Sequence, residues 1–329
     1  MDHLKSPLSA RNIRAGYKSA IIHAYGSWYE ALGQNKHDFF TKLAQKFKQH
    51  DISPYLVDGN SRTSRGLLTQ THLHIIVGGP AMYGPGILHA FPSYIWGFWY
   101  FDELGFDSNS SLRLTSYTSD NTDQAEAEFF FNGVTGYMLR ENVSTLRQEQ
   151  RFNTPLSPAT AVIFCQRNNL ALPRPNHLTT DQMIETAARF DPNAIVYVKL
   201  HPHQSKVGRQ HILETCAAFP NVQTTEASVH DLIQSARVVI TQNSAAGFEA
   251  LMQKKPVITC AKSDYWHATL TPHTIEDLHA ALENGPEIMR GFDYEGYFYW
   301  FLAKRCLEPS KDNFADRAWD RVRDKLMIA

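Results

Sequence analysis

The chain has 329 residues, 43% of them hydrophobic and 20% charged. That length fits roughly two domains of ~100–200 residues, and the apolar content excludes a mostly disordered chain. With 32 Lys and Arg against 33 Asp and Glu, no net charge draws the protein onto nucleic acid or anionic lipid, so any bound anion must be held by a local device.

The N-terminus shows no apolar run of the kind that opens a secretory leader. No apolar stretch approaches the ~20 residues of a membrane helix. The expectation is a soluble, cytoplasmic protein, in which the sequons at Asn109 and Asn142 carry no meaning. The four cysteines, Cys165, Cys216, Cys260 and Cys306, form no CxxC pair and read as buried thiols rather than a disulfide framework.

In chain order, residues 37–50 repeat apolar side chains at three- and four-residue spacing and predict a helix. Residues 72–77 predict a strand that runs into Gly78-Gly79-Pro80, a βα turn or active-site loop. Together with Tyr83-Gly84-Pro85-Gly86 that segment reads as a substrate loop or a rigid connector, and His89 as a core histidine. Residues 82–102 are rich in aromatics with no dominant period. Residues 141–160 are polar, contain two prolines and predict a linker.

An α/β rhythm follows. Strands are predicted at 161–165, 194–200, 222–224, 237–241 and 256–260. Helices are predicted at 180–190, 210–219, 228–235, 245–253 and 274–284. The alternation implies a parallel sheet covered by helices on both faces. An aromatic segment at 292–301 and a final helix at 312–327 close the chain.

In such a sheet, ligands bind outside the carboxyl ends of the strands. One predicted strand ends in Lys199, His201 and Pro202. Another ends in Asn243 and Ser244, where a helix begins. A capping Asn or Ser, free backbone N–H groups and the helix dipole together make a phosphate cradle without net positive charge. Glu249, a turn and a half along that helix, is placed to meet a ribose hydroxyl. The plainer alternatives are an ordinary cap, a His-Pro turn and a solvated glutamate.

No Walker loop or GxGxxG is present. Ser244 lacks the glycine two residues before it that a nucleophile elbow needs, which weakens a hydrolase. The pairs His72/His74 and His201/His203 have metal-ligand spacing, but neither has accompanying Cys or carboxylate ligands in sequence, so no metal site is expected. In the first half, Asp102, Glu103 and Asp107 flank Gly105. They are either a general base or nucleophile, or carboxylates of an exposed turn.

Three stretches carry a family resemblance: Val198-Lys199-Leu200-His201-Pro202; Thr241 to Leu251, with Asn243, Ser244, Gly247 and Glu249; and Pro256-Val257-Ile258. Their order and spacing, followed by Tyr265 and Leu270-Thr271, resemble the bacterial capsule polysaccharide synthesis proteins, which include β-Kdo transferases. The resemblance implies a GT-B fold, with two Rossmann-like domains facing across a cleft and a C-terminal helix packing back on the N-terminal domain. The implied boundaries are 1–155 for the acceptor-side domain, 156–300 for the nucleotide-sugar domain and 301–329 for the returning helix.

It further implies a glycosyltransferase that uses a nucleotide-sugar, CMP-linked as first choice, and a glycan or glycolipid acceptor. Peripheral contact with the inner membrane or export machinery also follows from it. No separate cofactor and no nucleic acid enter this reading. His201 and Ser244 would contact the donor phosphate, with Glu249 near the nucleotide. The segment from Asp102 to Ser108 is similar to the family's EDGFLRS stretch. One departure stands out: Leu170 occupies the place of the family's aspartate in Q-x-x-x-D. It motivates the alternative of a non-catalytic nucleotide- or glycan-binding member of a capsule assembly complex. An epimerase or hydrolase on the same scaffold is a third reading.

Overall fold

The computed structural model describes residues 1–11, 13, 14, 16–119, 122–167 and 176–326. Leu170, with the departure it represents, lies outside the described residues. Two compact units divide the chain: residues 1–93, 97–112 and 302–329 form the first, and residues 94–96 and 113–301 the second.

The first unit is built on β1 (Asp2–His3), β2 (Ser19–Ala24), β3 (Ser53–Asp58), β4 (Leu73–Val77), β5 (Ile87–Pro92) and β6 (Trp99–Asp102). They lie in the order β1-β3-β2-β4-β5-β6. All neighbours are parallel except β5 and β6. β2 and β4 are buried on both faces, as central parallel strands are. Their short apolar runs contain histidines, which hid β2 from a periodicity reading.

Helix α1 (Ser27–Gly33) follows β2, and α3 (Arg62–Leu67) lies between β3 and β4. Helix α2 (Asp38–Gln49) realises the predicted amphipathic pattern and buries Phe39, Phe40, Leu43, Ala44 and Phe47. The last helix, α11 (Phe314–Leu326), belongs to this unit. It buries Phe314, Ala318, Val322 and Leu326 at four-residue spacing. Phe39 and Phe314 meet edge-on at 5.0 Å, and Lys46 pairs with Asp316 at 2.6 Å. The C-terminal helix thus packs on the N-terminal sheet unit, as expected.

The second unit opens with α4 (Gln124–Arg140), capped by Asp123. Its sheet comprises β7 (Ala159–Phe164), β8 (Ile195–Lys199), β9 (Val222–Thr224), β10 (Ala236–Thr241) and β11 (Val257–Thr259). The order is β11-β10-β7-β8-β9, parallel throughout. Renumbered within the unit this is 5-4-1-2-3, the doubly wound Rossmann order.

Helices α5 (Thr180–Phe190), α6 (Lys206–Ala217), α7 (Val229–Ser235), α8 (Ala245–Leu251) and α9 (Ile275–Ile288) fall close to their predictions. Thr179 and Thr274 each close a capping box. α6 begins four residues early because Ser205 caps it. The aromatic segment forms α10 (Tyr294–Phe298) and a π-type turn.

Residues 141–158 are not a free linker. They form a strap docked on the second unit, because its polar side chains bind the start of α7. Ser228 Oγ donates to Asn142 Oδ1 at 2.6 Å, and Val229 N–H donates to Gln148 Oε1 at 3.0 Å. Arg151 Nε reaches Asp231 at 2.7 Å, and Phe152 N–H donates to the other Asp231 oxygen at 2.8 Å.

Candidate functional site

In the second sheet the chain winds one way from β7 through β8 to β9 and the other way to β10 and β11. The switch point therefore lies between β7 and β10, where open α/β sheets bind ligands. The residues leaving those strands are Gln166 after β7 and Gln242, Asn243 and Ser244 after β10. The tip of β8, with Lys199 and His201, is separated from that of β10 by β7. The two tips are therefore about 10 Å apart rather than adjacent.

Asn243 ties the site together. Its Oδ1 accepts from Gln166 Nε2 at 2.8 Å, and its Nδ2 donates to Lys262 O at 2.7 Å. The Asn243 amide is a strut between strand ends, not a free ligand donor. Ser244 caps α8: its Oγ accepts from Ala246 N–H at 3.3 Å, and its carbonyl accepts from Tyr265 OH at 2.8 Å. The cap uses an oxygen lone pair and leaves the hydroxyl proton available to a ligand.

Two side chains that sequence reasoning missed complete the crevice. Gln242 donates to Thr180 Oγ1 at 3.1 Å. Its Oε1, like Gln166 Oε1, is buried with no donor among the described residues. Unmet buried acceptors are costly, so the pair suits a ligand that presents N–H or O–H groups. They become visible only once the strand order places both glutamines at the switch point.

Lys199 differs from its expected role. Its ammonium donates to Glu226 O and Ala227 O at 2.9 and 2.7 Å, and burial lowers its pKa. It fastens the end of β8 to the loop before α7. The His201 Nδ1 accepts from His203 N–H at 3.1 Å. In the neutral ring this leaves Nε2 as the protonated, donating nitrogen. Pro202 turns the exposed chain between the two histidines.

Gly247 is a packing residue. A β-carbon there would stand 2.7 Å from both Thr241 Cγ2 and Tyr265 OH. Glu249 does not reach the crevice surface. It faces inward from α8 with no exposed area, and its Oε1 accepts from Ser144 Oγ at 2.7 Å. Its Oε2 has no partner among the described residues, and burial pushes its pKa up to about 8. The strap, not a nucleotide, occupies this carboxyl group.

The first unit's carboxylates separate by role. Asp102 ends β6 opposite His89. Its Oδ1 accepts from Leu104 and Gly105 N–H at 2.7 and 3.0 Å. Its Oδ2 accepts from Ser111 N–H and Oγ at 3.0 and 2.6 Å. A carboxylate anchored in this way organises its own turn, with both oxygens engaged by protein donors. Glu103 keeps a half-exposed side chain, 3.6 Å from Lys325 Nζ. Asp107 opens a short 3-10 turn in a left-handed backbone conformation.

His72 and His74 lie in hydrogen bonds to Gln70. Among the described residues, no three His, Cys, Asp or Glu groups are arranged to hold a metal ion. All four cysteines are buried thiols outside any disulfide among the described residues. Among the described residues, no helix is long and apolar enough to cross a membrane.

A chain of two Rossmann-like units, the second with its topological switch point between β7 and β10, has a GT-B-like architecture. Residues 175–283, a third of the chain, match the family model for capsule polysaccharide biosynthesis proteins, which agrees with the resemblance read from the motifs. A search of curated proteins finds no match.

Among solved structures, the chain is similar to the β-Kdo 2,4 transferase of Thermosulfurimonas dismutans KpsC. Identity is 16%, the TM-score is 0.48, and 81% of this chain and 90% of that one are covered. The β-Kdo 2,7 transferase of the same protein gives 15% identity, a TM-score of 0.47 and 80% and 89% coverage. The UDP-GlcNAc 2-epimerase of Methanocaldococcus jannaschii gives 12%, 0.41, and 93% and 99%.

Proposed function

We propose that the protein is a glycosyltransferase of surface polysaccharide assembly. It would act at the cytoplasmic face of the membrane, moving a sugar from a nucleotide donor, CMP-linked as first choice, to a glycan or glycolipid. The observation that carries the reading is the coincidence of two things. The switch-point crevice of the second sheet is walled by Gln242, Asn243 and Ser244, and these same residues belong to the segment matched by the capsule polysaccharide biosynthesis family.

In this reading the Ser244 hydroxyl and the His201 Nε2–H donate to the donor phosphate. Donors fixed before the reaction stabilise negative charge as the nucleotide departs. Gln166 Oε1 and Gln242 Oε1 accept from the nucleotide's hydroxyl or amino groups, meeting needs that the described residues leave open. Gly247 and Glu249 support the site from behind, by packing α8 and by holding the strap. In the first unit we assign Glu103, rather than Asp102, to take the proton of the acceptor hydroxyl, since Asp102 is committed to its turn. Asp107 then shapes that turn.

The commitment of Asp102 also favours a second reading, a nucleotide- or glycan-binding protein of the same assembly without turnover. The test is release of free CMP from a panel of CMP-sugars offered with oligosaccharide acceptors. Acceptor-dependent release, reduced on Glu103→Gln, supports the transferase. CMP binding without release from any donor supports the second reading. Release that needs no acceptor points to a hydrolase and contradicts both.

A further inference from the structure

The loop that leaves β11 carries a group of side chains for which the donor-phosphate contacts give no role. Lys262 follows the end of β11 by three residues. Its carbonyl accepts from Asn243 Nδ2 at 2.7 Å, so it adjoins the switch point. Four residues on, Trp266 opens a 3-10 turn (Trp266–Ala268). The Trp266 indole N–H donates to Arg113 O at 3.2 Å, and His267 Nε2–H donates to Thr115 O at 2.6 Å. These two bonds fasten Arg113 to the loop that carries Lys262. Both cations belong to the second unit.

No acid neutralises the two. Among the described residues neither Lys262 nor Arg113 is paired with a carboxylate. Burial, and after it the charge of Arg113, lower the Lys262 pKa. Arg113 Nε is buried with no acceptor among the described residues. Asp264, two residues from Lys262, is fully buried and its Oδ1 accepts from Tyr94 OH at 2.8 Å. His267 adds no positive charge near neutrality, since burial lowers its pKa. A buried donor without an acceptor is costly, and a second like charge beside it adds repulsion. An anion relieves both.

Trp266 gives the site a floor. His267 stacks on the indole, with ring centroids 4.2 Å apart and planes 24° from parallel. The ring is thus held on one side by the imidazole and at its nitrogen by Arg113 O, yet it stays 45% exposed. A fixed aromatic surface next to two cations suits a ring that bears a negative substituent.

We propose that Arg113 and Lys262 bind an anionic substituent, a carboxylate or a phosphate, on a sugar whose ring rests on Trp266. Arg113 offers a planar fork to two oxygens, and Lys262 a compact point charge. That the ligand is a sugar rests on the transferase reading above; the call for an anion does not.

Lysine acetylation of the whole chain by N-hydroxysuccinimide acetate, read residue by residue by mass spectrometry, tests this at Lys262 itself. Three probes are compared: the methyl glycoside of Kdo, which brings a carboxylate, glucose 6-phosphate, which brings a phosphate, and methyl glucoside, which brings neither. At least one charged sugar should slow Lys262 acetylation severalfold at concentrations where methyl glucoside has no effect, and the one that does so names the anion.

Arg113→Gln should weaken that protection roughly ten- to a hundredfold, as loss of a hydrogen bond to a charged group does. It should also slow Lys262 acetylation without any sugar, because the ammonium then holds its proton more tightly. Trp266→Ala should weaken protection as well. Labelling of the other lysines checks that each variant keeps its fold. No protection by either charged sugar, equal protection by methyl glucoside, or full protection in Arg113→Gln would each overturn the proposal. CMP binding by the wild-type protein is read separately, so failure of this anion site is told apart from failure of the donor assignment.

Discussion

Glu249 shows how far a motif residue can depart from the role its spacing suggests. Its carboxyl group is sealed between α8 and the strap, and its pKa of about 8 reflects burial only partly offset by the Ser144 and Thr145 hydrogen bonds. The folded protein therefore holds a proton that the unfolded chain releases above about pH 4.5. Stability from this group is complete at acid pH and is lost as pH rises toward 8. Glu249→Gln should consequently raise the urea midpoint at pH 8 by on the order of several kcal/mol of stability, with little change at pH 5. Equal effects at both pH values would contradict the buried-acid account. Gly247 is simpler. Gly247→Ala forces a methyl against Thr241 and Tyr265, and thermal melts should show a loss of about 1–3 kcal/mol. The glycine, the serine and the order of the motifs were visible in the sequence. The inward direction of Glu249 was not, because helical spacing alone does not say which face is covered.

At the scale of elements, the strap and the returning helix carry most of what the linear pattern concealed. The second half was legible because its buried strands are short apolar runs bounded by capped helices. The first half was legible only at α2 and β4, since β2 carries a histidine in its core and β5 and β6 interleave aromatics without a period. The strap was read as a linker because its holding groups are polar side chains that find partners far along the chain. Arg151 against the nearly buried Asp231 is its firmest tie. Arg151→Ala leaves that carboxylate without its cation and should cost on the order of 3 kcal/mol in urea unfolding. It should also raise protease cleavage within residues 141–158. No change in cleavage would show that the strap is held by its other contacts. In the first unit, Arg321 on α11 donates to Phe101 O at 2.9 Å and, through its other terminal nitrogen, to Arg305 O. A chain ending before α11 strips Phe314, Ala318, Val322 and Leu326 from the first core, so its circular dichroism melt should lose cooperativity.

For the molecule as a whole, two buried chemistries act on stability from opposite sides of neutrality. Burial and the neighbouring His74 and His72 lower the His23 pKa to about 3. His74, His72, His89 and His230 are lowered as well, chiefly by burial. Between about pH 6.5 and 3 the unfolded chain binds protons that these rings refuse, so stability falls with acid. Glu249 makes it fall with alkali up to about pH 8. A plot of unfolding midpoint against pH should be bell-shaped, with its maximum near neutrality. Glu249→Gln should remove the fall on the alkaline side and steepen the rise between about pH 5 and 7.

The proposed donor site needs Ser244, after β10, and His201, after β8, to reach one nucleotide phosphate across the tip of β7. Calorimetric titration of CMP into the wild-type protein, His201→Ala and Ser244→Ala tests this most directly. Saturable binding to the wild type is predicted, weakened in each variant by roughly 1.5–3 kcal/mol, the worth of a hydrogen bond to a charged group. Affinity equal in all three proteins, or no binding by the wild type, would contradict it.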